Sequence, residues 1–412
     1  MFQKLKNIGP GALIAAAFIG PGTVTVCTLA GAKYQFALLW AMVFSIFATL
    51  VLQGMSARLG LVSKLSLASA LRNEIRQPLL KWLAIVLVLS AILVGNAAYE
   101  AGNISGGVLG LQAIFADTFI DIGGQSINIF SIVIGLIAFS LLMIGSYKLL
   151  ERTLIGLVIL MSVSFIFTAA MTAPNLLEVL KGLLTPSFPE GSTLMIIALV
   201  GTTVVPYNLF LHASLVQEKW NDANESIDLR LLKARRDTRM SIILGGLVSI
   251  AIIVCAAAIK DIEVTGASDL AKGLEPLFGR YATYFMAIGL FAAGITSAIT
   301  APLAAAYVAQ GCFQWEKDIK STKFRMVWMF VLLLGVVFSS TGIRPIEIIK
   351  FAQVANGLLL PIIASFLLWI MNRSSILVSY KNTLIQNVMG WVIVLITLIL
   401  GMKSIATVFQ LL

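Results

Sequence analysis

Long runs of apolar residues recur along the whole chain, separated by short polar segments. Eleven of them approach or exceed the roughly 20 residues that a helix needs to cross a hydrocarbon layer. They lie near residues 9–31, 36–56, 80–112, 127–146, 152–173, 194–217, 239–259, 281–313, 325–341, 347–371 and 384–406. The pattern predicts an all-α membrane protein with about 11 transmembrane helices. The third and eighth spans are long enough to tilt or to extend beyond the lipid.

Composition supports a membrane location for the entire chain. Apolar residues make up 59% of it and charged residues only 12%, which leaves too few polar side chains to cover a soluble globule. The apolar runs leave no room for a separate soluble domain. We therefore expect residues 1–412 to form a single transmembrane domain.

The distribution of basic residues predicts the orientation, because cytoplasmic loops of membrane proteins retain an excess of Lys and Arg. If the N-terminus is cytoplasmic, 21 of the 29 Lys and Arg residues fall on the inner side. The others are Lys33, Lys181, Lys260, Lys272, Arg280, Arg344, Lys350 and Lys403. This predicts Met1 inside and Leu412 outside, in a membrane that we take to be the bacterial inner membrane.

The excess of basic residues in cytoplasmic loops also explains the net charge of +10. These residues are expected to attract anionic lipid. No basic patch is interleaved with aromatic residues, so we expect no nucleic-acid partner. The basic run from Arg230 to Arg239 is interpreted as a solvated loop.

Catalytic and cofactor motifs are missing from the sequence. A single histidine excludes the HExxH metalloprotease pattern, and the chain has no GxSxG motif and no phosphate-binding loop. Its three cysteines, Cys27, Cys255 and Cys312, lie in apolar spans without a CxxC pair. We expect neither enzymatic activity nor a cofactor.

Two of the apolar spans contain helix-breaking residues. Gly20-Pro21-Gly22-Thr23 interrupts the first span, and the segment from Gly201 to Asn208, which includes Pro206, interrupts the sixth. Either break alone could be a simple proline kink. The first and sixth spans, however, are corresponding members of two five-helix halves, and paired interruptions of that kind indicate a transporter's midplane site. We predict that residues 20–23 and 204–207 are non-helical and face each other across a cavity.

The residues after the second break resemble the sixth helix of the NRAMP family of proton-coupled divalent-metal transporters. Pro206-Tyr207-Asn208-Leu209-Phe210-Leu211-His212-Ala213-Ser214-Leu215-Val216-Gln217 is similar to the family pattern Met-Pro-His-Asn-Leu-x-Leu-His-Ser-x-Leu-Val-Gln. Residues 20–23 resemble the family's Asp-Pro-Gly-Asn, residues 290–297 its eighth helix, and residues 352–354 its Ser-Gln-Val.

The resemblance implies a LeuT-type fold. Two inverted five-helix repeats would cover residues 1–173 and 194–371, followed by an additional helix at 384–406. It also implies a substrate site at the two breaks. The candidate residues are Gly20, Pro21, Gly22, Thr23, Thr202, Val205, Pro206, Tyr207, Asn208 and Gln353.

The family's metal ligands are substituted in this chain. Its first-helix aspartate and asparagine correspond to Gly20 and Thr23, and its sixth-helix methionine corresponds to Val205. Its first sixth-helix histidine corresponds to Tyr207, whereas the second is retained as His212. We therefore assign no metal ligand.

The family's third-helix Asp-x-x-Glu pair, which belongs to its proton path, aligns with Asn96 and Tyr99, and Glu100 follows one position later. We take Asn96, Tyr99, Glu100 and His212 as candidates for a proton or coupling path. Glu100 is the carboxylate that lies well inside an apolar stretch, unless it occupies a wet end of the long third helix. His212 could shuttle protons or could be a hydrogen-bonded structural residue.

Three functions remain open. The first is a secondary transporter for a non-canonical small solute, such as bicarbonate or another small polar molecule, because half-helix N-termini without an aspartate favour anions or neutral polar groups. The second is a divalent-cation transporter of the Mn or Fe type that uses neutral ligands, with a proton or sodium ion as coupling ion. The third is a membrane sensor without transport activity.

Overall fold

The computed structural model describes residues 19–115, 119–122, 125–145, 148–220, 224–259, 264–316 and 318–408. Its helices are Pro21–Tyr34 (α1), Leu39–Ser63 (α2), Leu67–Glu74 (α3), Pro78–Gln112 (α4), Ile129–Ile144 (α5), Lys148–Met171 (α6), Leu176–Leu184 (α7), Thr193–Thr203 (α8), Pro206–Lys219 (α9), Ile227–Ala257 (α10), Ala267–Ala271 (α11), Glu275–Phe278 (α12), Ala282–Phe313 (α13), Thr322–Ser339 (α14), Pro345–Ile370 (α15), Ser374–Leu377 (α16) and Leu384–Val408 (α17). Short 3₁₀ turns occupy Lys272–Leu274 and Gly279–Tyr281.

Most of the predicted spans are present as long apolar helices. Within the described ranges, nine segments are long and apolar enough to cross a membrane. Two further predicted spans correspond to α5, with 16 residues, and to α1, of which 14 residues are described. The protein is an integral membrane protein with multiple helical spans. Its orientation stays a prediction.

The third and eighth spans are long, as predicted. The 35 residues of α4 reach about 52 Å at 1.5 Å per residue, and α13 has 32 residues. These two helices touch at the level of the backbone. A Cβ atom on Gly294 of α13 would lie 2.6 Å from the backbone nitrogen of Gly107 in α4. Such close approach through small residues is a common way for membrane helices to pack.

The interrupted sixth span lies at the centre of the bundle. In the segment Thr193–Lys219, 94% of the most apolar window is buried, compared with 33% for α14. The lipid-facing helices therefore surround α8 and α9, and any polar group on these two helices must find its partner inside the protein.

A short β-hairpin, which the sequence analysis did not predict, connects the third and fourth spans. Strand β1, Phe119–Ile122, pairs antiparallel with β2, Gln125–Asn128. The Asn128 N–H donates to the Ser340 carbonyl (3.3 Å), which ties the hairpin to the end of α14. Four-residue strands carry too little periodicity to be recognised, and the apolar run predicted at 127–146 therefore includes residues 127 and 128 of β2.

The interpretation of the basic run as a solvated loop is wrong. Arg230 to Arg239 lies inside α10, which continues without interruption into the seventh span. Ser226 caps this helix by accepting a hydrogen bond from the Leu229 N–H, and Asp228 lies in the first turn. Both features stabilise a helix start, and they move that start 12 residues ahead of the apolar stretch.

Candidate transport site

The sixth span is broken where the sequence predicted. Helix α8 ends at Thr203, Val204 and Val205 are non-helical, and α9 begins with Pro206. Proline fits the first position of a helix because it lacks the N–H that would be unsatisfied there, and it forces an extended conformation on Val205. The break is narrower than predicted, because Pro206 and Tyr207 belong to the first turn of α9.

The described part of the first span shows one side of the other break. Gly20 is extended, with φ −109° and ψ −172°, and α1 begins at Pro21. The prediction that residues 20–23 are non-helical is therefore wrong for Pro21, Gly22 and Thr23, which form the first helical turn. The residues before position 19 lie outside the described ranges, so an interruption of a longer helix stays a prediction.

Helices α1 and α8 are in direct contact next to the second break. The Thr23 and Thr202 hydroxyls lie 2.8 Å apart, and both side chains are buried. The sequence predicts a cavity between the two segments, but at this point the hydroxyl groups of the two helices form a hydrogen bond.

Helix α15 joins this contact through Gln353. A Cβ on Gly201 would overlap the Gln353 carbonyl oxygen, and a Cβ on Gly22 would overlap the Gln353 side-chain amide. The backbone of Gln353 thus packs closely on Gly201, and its side chain packs closely on Gly22. Helices α1, α8 and α15 therefore meet around one buried glutamine. We call Thr23, Thr202, Asn208 and Gln353 the central cluster.

Several polar groups near this junction lack a partner. Both side-chain atoms of Asn208, Oε1 of Gln353 and Oγ1 of Thr25 are buried without a hydrogen-bond partner among the described residues. A buried polar group left unsatisfied costs about 1–3 kcal/mol. Such groups are expected where a polar ligand binds.

Replacing Asn208 separates a structural role from a ligand-binding role. If the amide of Asn208 serves the cargo, Asn208→Leu removes an unsatisfied group, so the folded protein becomes more stable by about 1 kcal/mol while transport is lost. The matched control is Asn96→Leu, because the Asn96 amide donates to the Ala301 carbonyl (2.9 Å) and its loss should lower the melting temperature. Thermal melting and uptake are measured for both variants. A lower melting temperature for Asn208→Leu contradicts the assignment.

The candidates for a coupling path on α4 separate into different roles. Asn96 is bound to the Ala301 carbonyl, which is a packing contact between α4 and α13. The ring of Tyr99 packs edge-to-face on that of Tyr207, with centroids 5.5 Å apart. Tyr99 therefore lies beside the second break, at the first turn of α9.

Glu100 is completely buried, which excludes a wet helix end. Its Oε2 accepts a weak hydrogen bond from the Asn103 amide (3.4 Å), whereas Oε1 has no partner among the described residues. Gly335 of α14 packs directly against the Glu100 side chain. A buried carboxyl with so few partners is a candidate for proton uptake or cation binding.

His212 is held by neutral partners. Its Nδ1 lies 2.9 Å from Gln53 Oε1, and its Nε2 lies 3.4 Å from Thr238 Oγ1. Since an amide oxygen can only accept, Nδ1 carries the proton of that hydrogen bond. The imidazole thus links α9 to α2 and α10, which favours the structural interpretation of this residue.

Two further polar residues of this region were not predicted from the sequence. Asn103 is the hydrogen-bond partner of Glu100, and Asn356 lies one turn after Gln353 with a buried Nδ2 that has no partner among the described residues. The available signal was the spacing of three residues, which places each on the same helix face as its neighbour.

Two pockets open on the surface of the bundle. One, of about 460 Å³, lies between the ends of α4 and α14, and the other, of about 630 Å³, lies between the ends of α2, α9 and α13. Neither is lined by a residue of the central cluster. In this conformation the cluster is therefore closed off from both pockets.

Comparisons with known proteins agree with this arrangement. The family model "Natural resistance-associated macrophage protein-like" (Nramp) matches residues 11–407. The chain belongs to the NRAMP family. It is thus a membrane transporter by family and not an enzyme.

Relatives in the NRAMP family are similar over nearly their whole length. The divalent metal cation transporter MntH of Staphylococcus saprophyticus is 26% identical over 99% of this chain and 93% of its own length. MntH of Klebsiella pneumoniae is 26% identical over 97% of this chain and 93% of its own length.

Solved structures show the same fold. A crystal structure of the Eremococcus coleocola manganese transporter has a TM-score of 0.74 at 21% identity, covering 97% of this chain and 86% of that one. Mhp1, a nucleobase-cation-symport-1 family transporter, has a TM-score of 0.57 at 15% identity, covering 98% and 93%. The fold is LeuT-like.

The side chains of the central cluster in this chain carry no charge. No group of three or more His, Cys, Asp or Glu residues that could hold a metal ion occurs among the described residues. The groups at the junction are hydroxyls, amides and backbone.

Proposed function

We propose that this NRAMP-family protein is a secondary transporter that moves a small polar solute or small anion, such as bicarbonate, by alternating access at the central cluster. The observation that carries the proposal is the contact between the first turn of α1 and the last turn of α8, just before the N-terminus of α9, where the described groups that meet are hydroxyls and the Gln353 amide. The two inverted repeats over residues 1–173 and 194–371 are part of the proposal, because they would supply the two halves that move.

Electrostatics favour this class of cargo. Each helix N-terminus presents free N–H groups and the positive end of a macrodipole. Gly20 caps α1 without a side-chain acceptor, so no carboxylate at that position compensates the dipole. An acceptor-rich solute is attracted to such a site, whereas a divalent cation stripped of water needs anionic or many hard oxygen ligands.

A divalent metal cation is the second candidate. Its support comes from the relatives, which are named as divalent metal cation transporters, and the comparisons favour it over the first candidate. Its ligands in this chain would be Oε1 of Gln353, which has no partner in the described part of the chain, and the carbonyl groups freed at the break.

Uptake into proteoliposomes distinguishes the candidates. We expect accumulation of bicarbonate or of a small amino acid and no accumulation of Mn²⁺ when the three are compared under the same pH and sodium gradients. Uptake of Mn²⁺ alone supports the second candidate and contradicts the first. A protein that accumulates none of them would point to the sensor.

Two conservative substitutions test the candidate site, one in the central cluster and one next to it on α9. Thr23→Val and Tyr207→Phe each remove one hydroxyl, and we expect each to weaken transport by about 1–3 kcal/mol, or roughly 5-fold to 150-fold. The control is Thr49→Val, because the buried Thr49 hydroxyl donates to the Ser45 carbonyl of its own helix (2.7 Å). If Thr49→Val reduced transport equally, the loss in all three variants would reflect lower protein stability and not a weaker contact with the solute.

We further propose Glu100 as the residue that couples transport to a proton or sodium gradient. Its support is complete burial with one weak hydrogen bond, and its neighbour Tyr99 reaches the first turn of α9 through Tyr207.

A further inference from the structure

The N-terminal half of α10 carries a basic face at the level where the helix leaves the apolar part of the bundle. Arg230, Lys233, Arg235, Arg236 and Arg239 lie within ten residues of one another. Lys233 pairs with Glu225. Arg235, Arg236 and Arg239 form no ion pair among the described residues.

Exposed apolar side chains continue along the same face. Leu229, Leu232, Arg236, Met240 and Ile243 recur at intervals of three or four residues and therefore share one side of the helix. Leu232 is 62% exposed and Met240 is 59% exposed. Arg236 thus stands in the middle of a stripe that is otherwise apolar.

This arrangement fits the boundary between hydrocarbon and headgroups. Arg236 lies seven residues before Ile243, which is about 10 Å along a helix. An arginine at that distance can keep its aliphatic stem on the apolar surface while the guanidinium group reaches the phosphate layer. The exposed leucines on the same face make a purely aqueous location unfavourable.

A further arginine reinforces the positive charge on the neighbouring side of α10. Arg58 of α2 lies close enough to Arg235 for the two to repel each other. Its guanidinium group donates to Asn382 and to Gln386 (2.9 Å), which are neutral, and its Nε is buried without a partner among the described residues. Asp228, at the start of α10, already accepts a hydrogen bond from Tyr380 (2.9 Å).

We infer that Arg58, Arg235, Arg236 and Arg239 form a binding surface for an anionic phospholipid. Its phosphate group would compensate the arginines, and its acyl chains would lie on Met240 and Ile243, which follow the arginines toward the apolar part of α10. This surface is separate from the central cluster, so the inference does not depend on the transported solute.

The test measures lipid binding to the purified full-length protein in detergent. We expect phosphatidylglycerol to raise the melting temperature and to be retained in native mass spectra, and phosphatidylcholine to do neither. Because each basic residue near an anionic surface contributes about a fivefold factor in affinity, Arg235→Gln/Arg236→Gln/Arg239→Gln should weaken retention roughly 100-fold. The control, Lys320→Gln/Lys323→Gln/Arg325→Gln, removes the same charge near the start of α14.

Three results would overturn the inference. Equal stabilisation by phosphatidylcholine would indicate a general effect of lipid, and equal stabilisation by inorganic phosphate would indicate a site for a free anion. Equal loss in the control would indicate net charge alone. Should the triple variant not fold, Arg236→Gln alone is compared with Lys323→Gln, and a loss of about fivefold in the first only is expected.

Discussion

Gly201→Ala is expected to prevent normal packing of the bundle. A Cβ at this position would overlap the Gln353 carbonyl oxygen and lie 2.6 Å from the Gly357 nitrogen. Both are backbone atoms of α15, so no side-chain rotation can relieve the clash and the two helices must move apart. Overpacking by a single methyl group costs about 1–3 kcal/mol when side chains can adjust, and we expect at least the upper end of that range. The measurement is the thermal stability of the detergent-solubilised protein.

Gly54→Ala is the matched control for this prediction. Gly54 lies in α2, and a Cβ there would meet no atom within 4 Å. Alanine is favoured over glycine in a helix by about 1 kcal/mol, so this variant should be as stable as the unmodified protein or slightly more so. A Gly201→Ala protein that melts at the same temperature as Gly54→Ala would show that α8 and α15 are not in backbone contact.

The membrane-spanning helices could be predicted because the thickness of the lipid layer sets the length of apolar sequence that each one needs. The long spans α4 and α13 follow directly from apolar runs of more than 30 residues. The early start of α10 was missed because the run from Arg230 to Arg239 is polar, and only the cap at Ser226 indicates a helix there. Hydropathy locates the lipid-embedded part of a helix and does not locate its end.

The position of the break in the sixth span could be predicted from the sequence. Pro206 interrupts an apolar run whatever surrounds it, whereas the width of that break depends on whether the following residues can form a first helical turn. Tyr207 lies in such a turn in α9, as Thr23 does in α1. Contacts between distant spans, such as that of Thr23 with Thr202, depend on the three-dimensional arrangement of α1 and α8, which no local pattern contains.

Family membership and site chemistry point to different cargo, and the difference lies in a few side chains. An NRAMP-type fold with an acid at position 20 would have a carboxylate at the N-terminus of α1, whereas Gly20 offers only backbone groups there. Restoring the family's ligands therefore tests whether the scaffold of this chain still supports a metal site.

Gly20→Asp/Thr23→Asn/Val205→Met is expected to bind Mn²⁺, whereas we expect no such binding by the unmodified protein. Gly20 is extended at the N-terminal end of α1, a conformation that aspartate adopts readily at a helix start. The carboxylate supplies the anionic ligand, the amide a hard oxygen and the thioether a soft sulfur. Mn²⁺ at about 100 times its Kd should then stabilise the variant by about 2.7 kcal/mol, which is measured as a Mn²⁺-dependent rise in melting temperature.

The same variant should lose transport of an anion or a polar solute. The added carboxylate opposes the positive end of the α1 dipole and repels an anion, and without a bound cation it remains a costly buried charge. The control is Gly20→Asn with the other two substitutions, which has nearly the same volume but no charge and should bind no Mn²⁺. If the unmodified protein already binds Mn²⁺ at micromolar concentration, and Gln353→Ala abolishes that binding, neutral ligands suffice and the metal cation is the cargo.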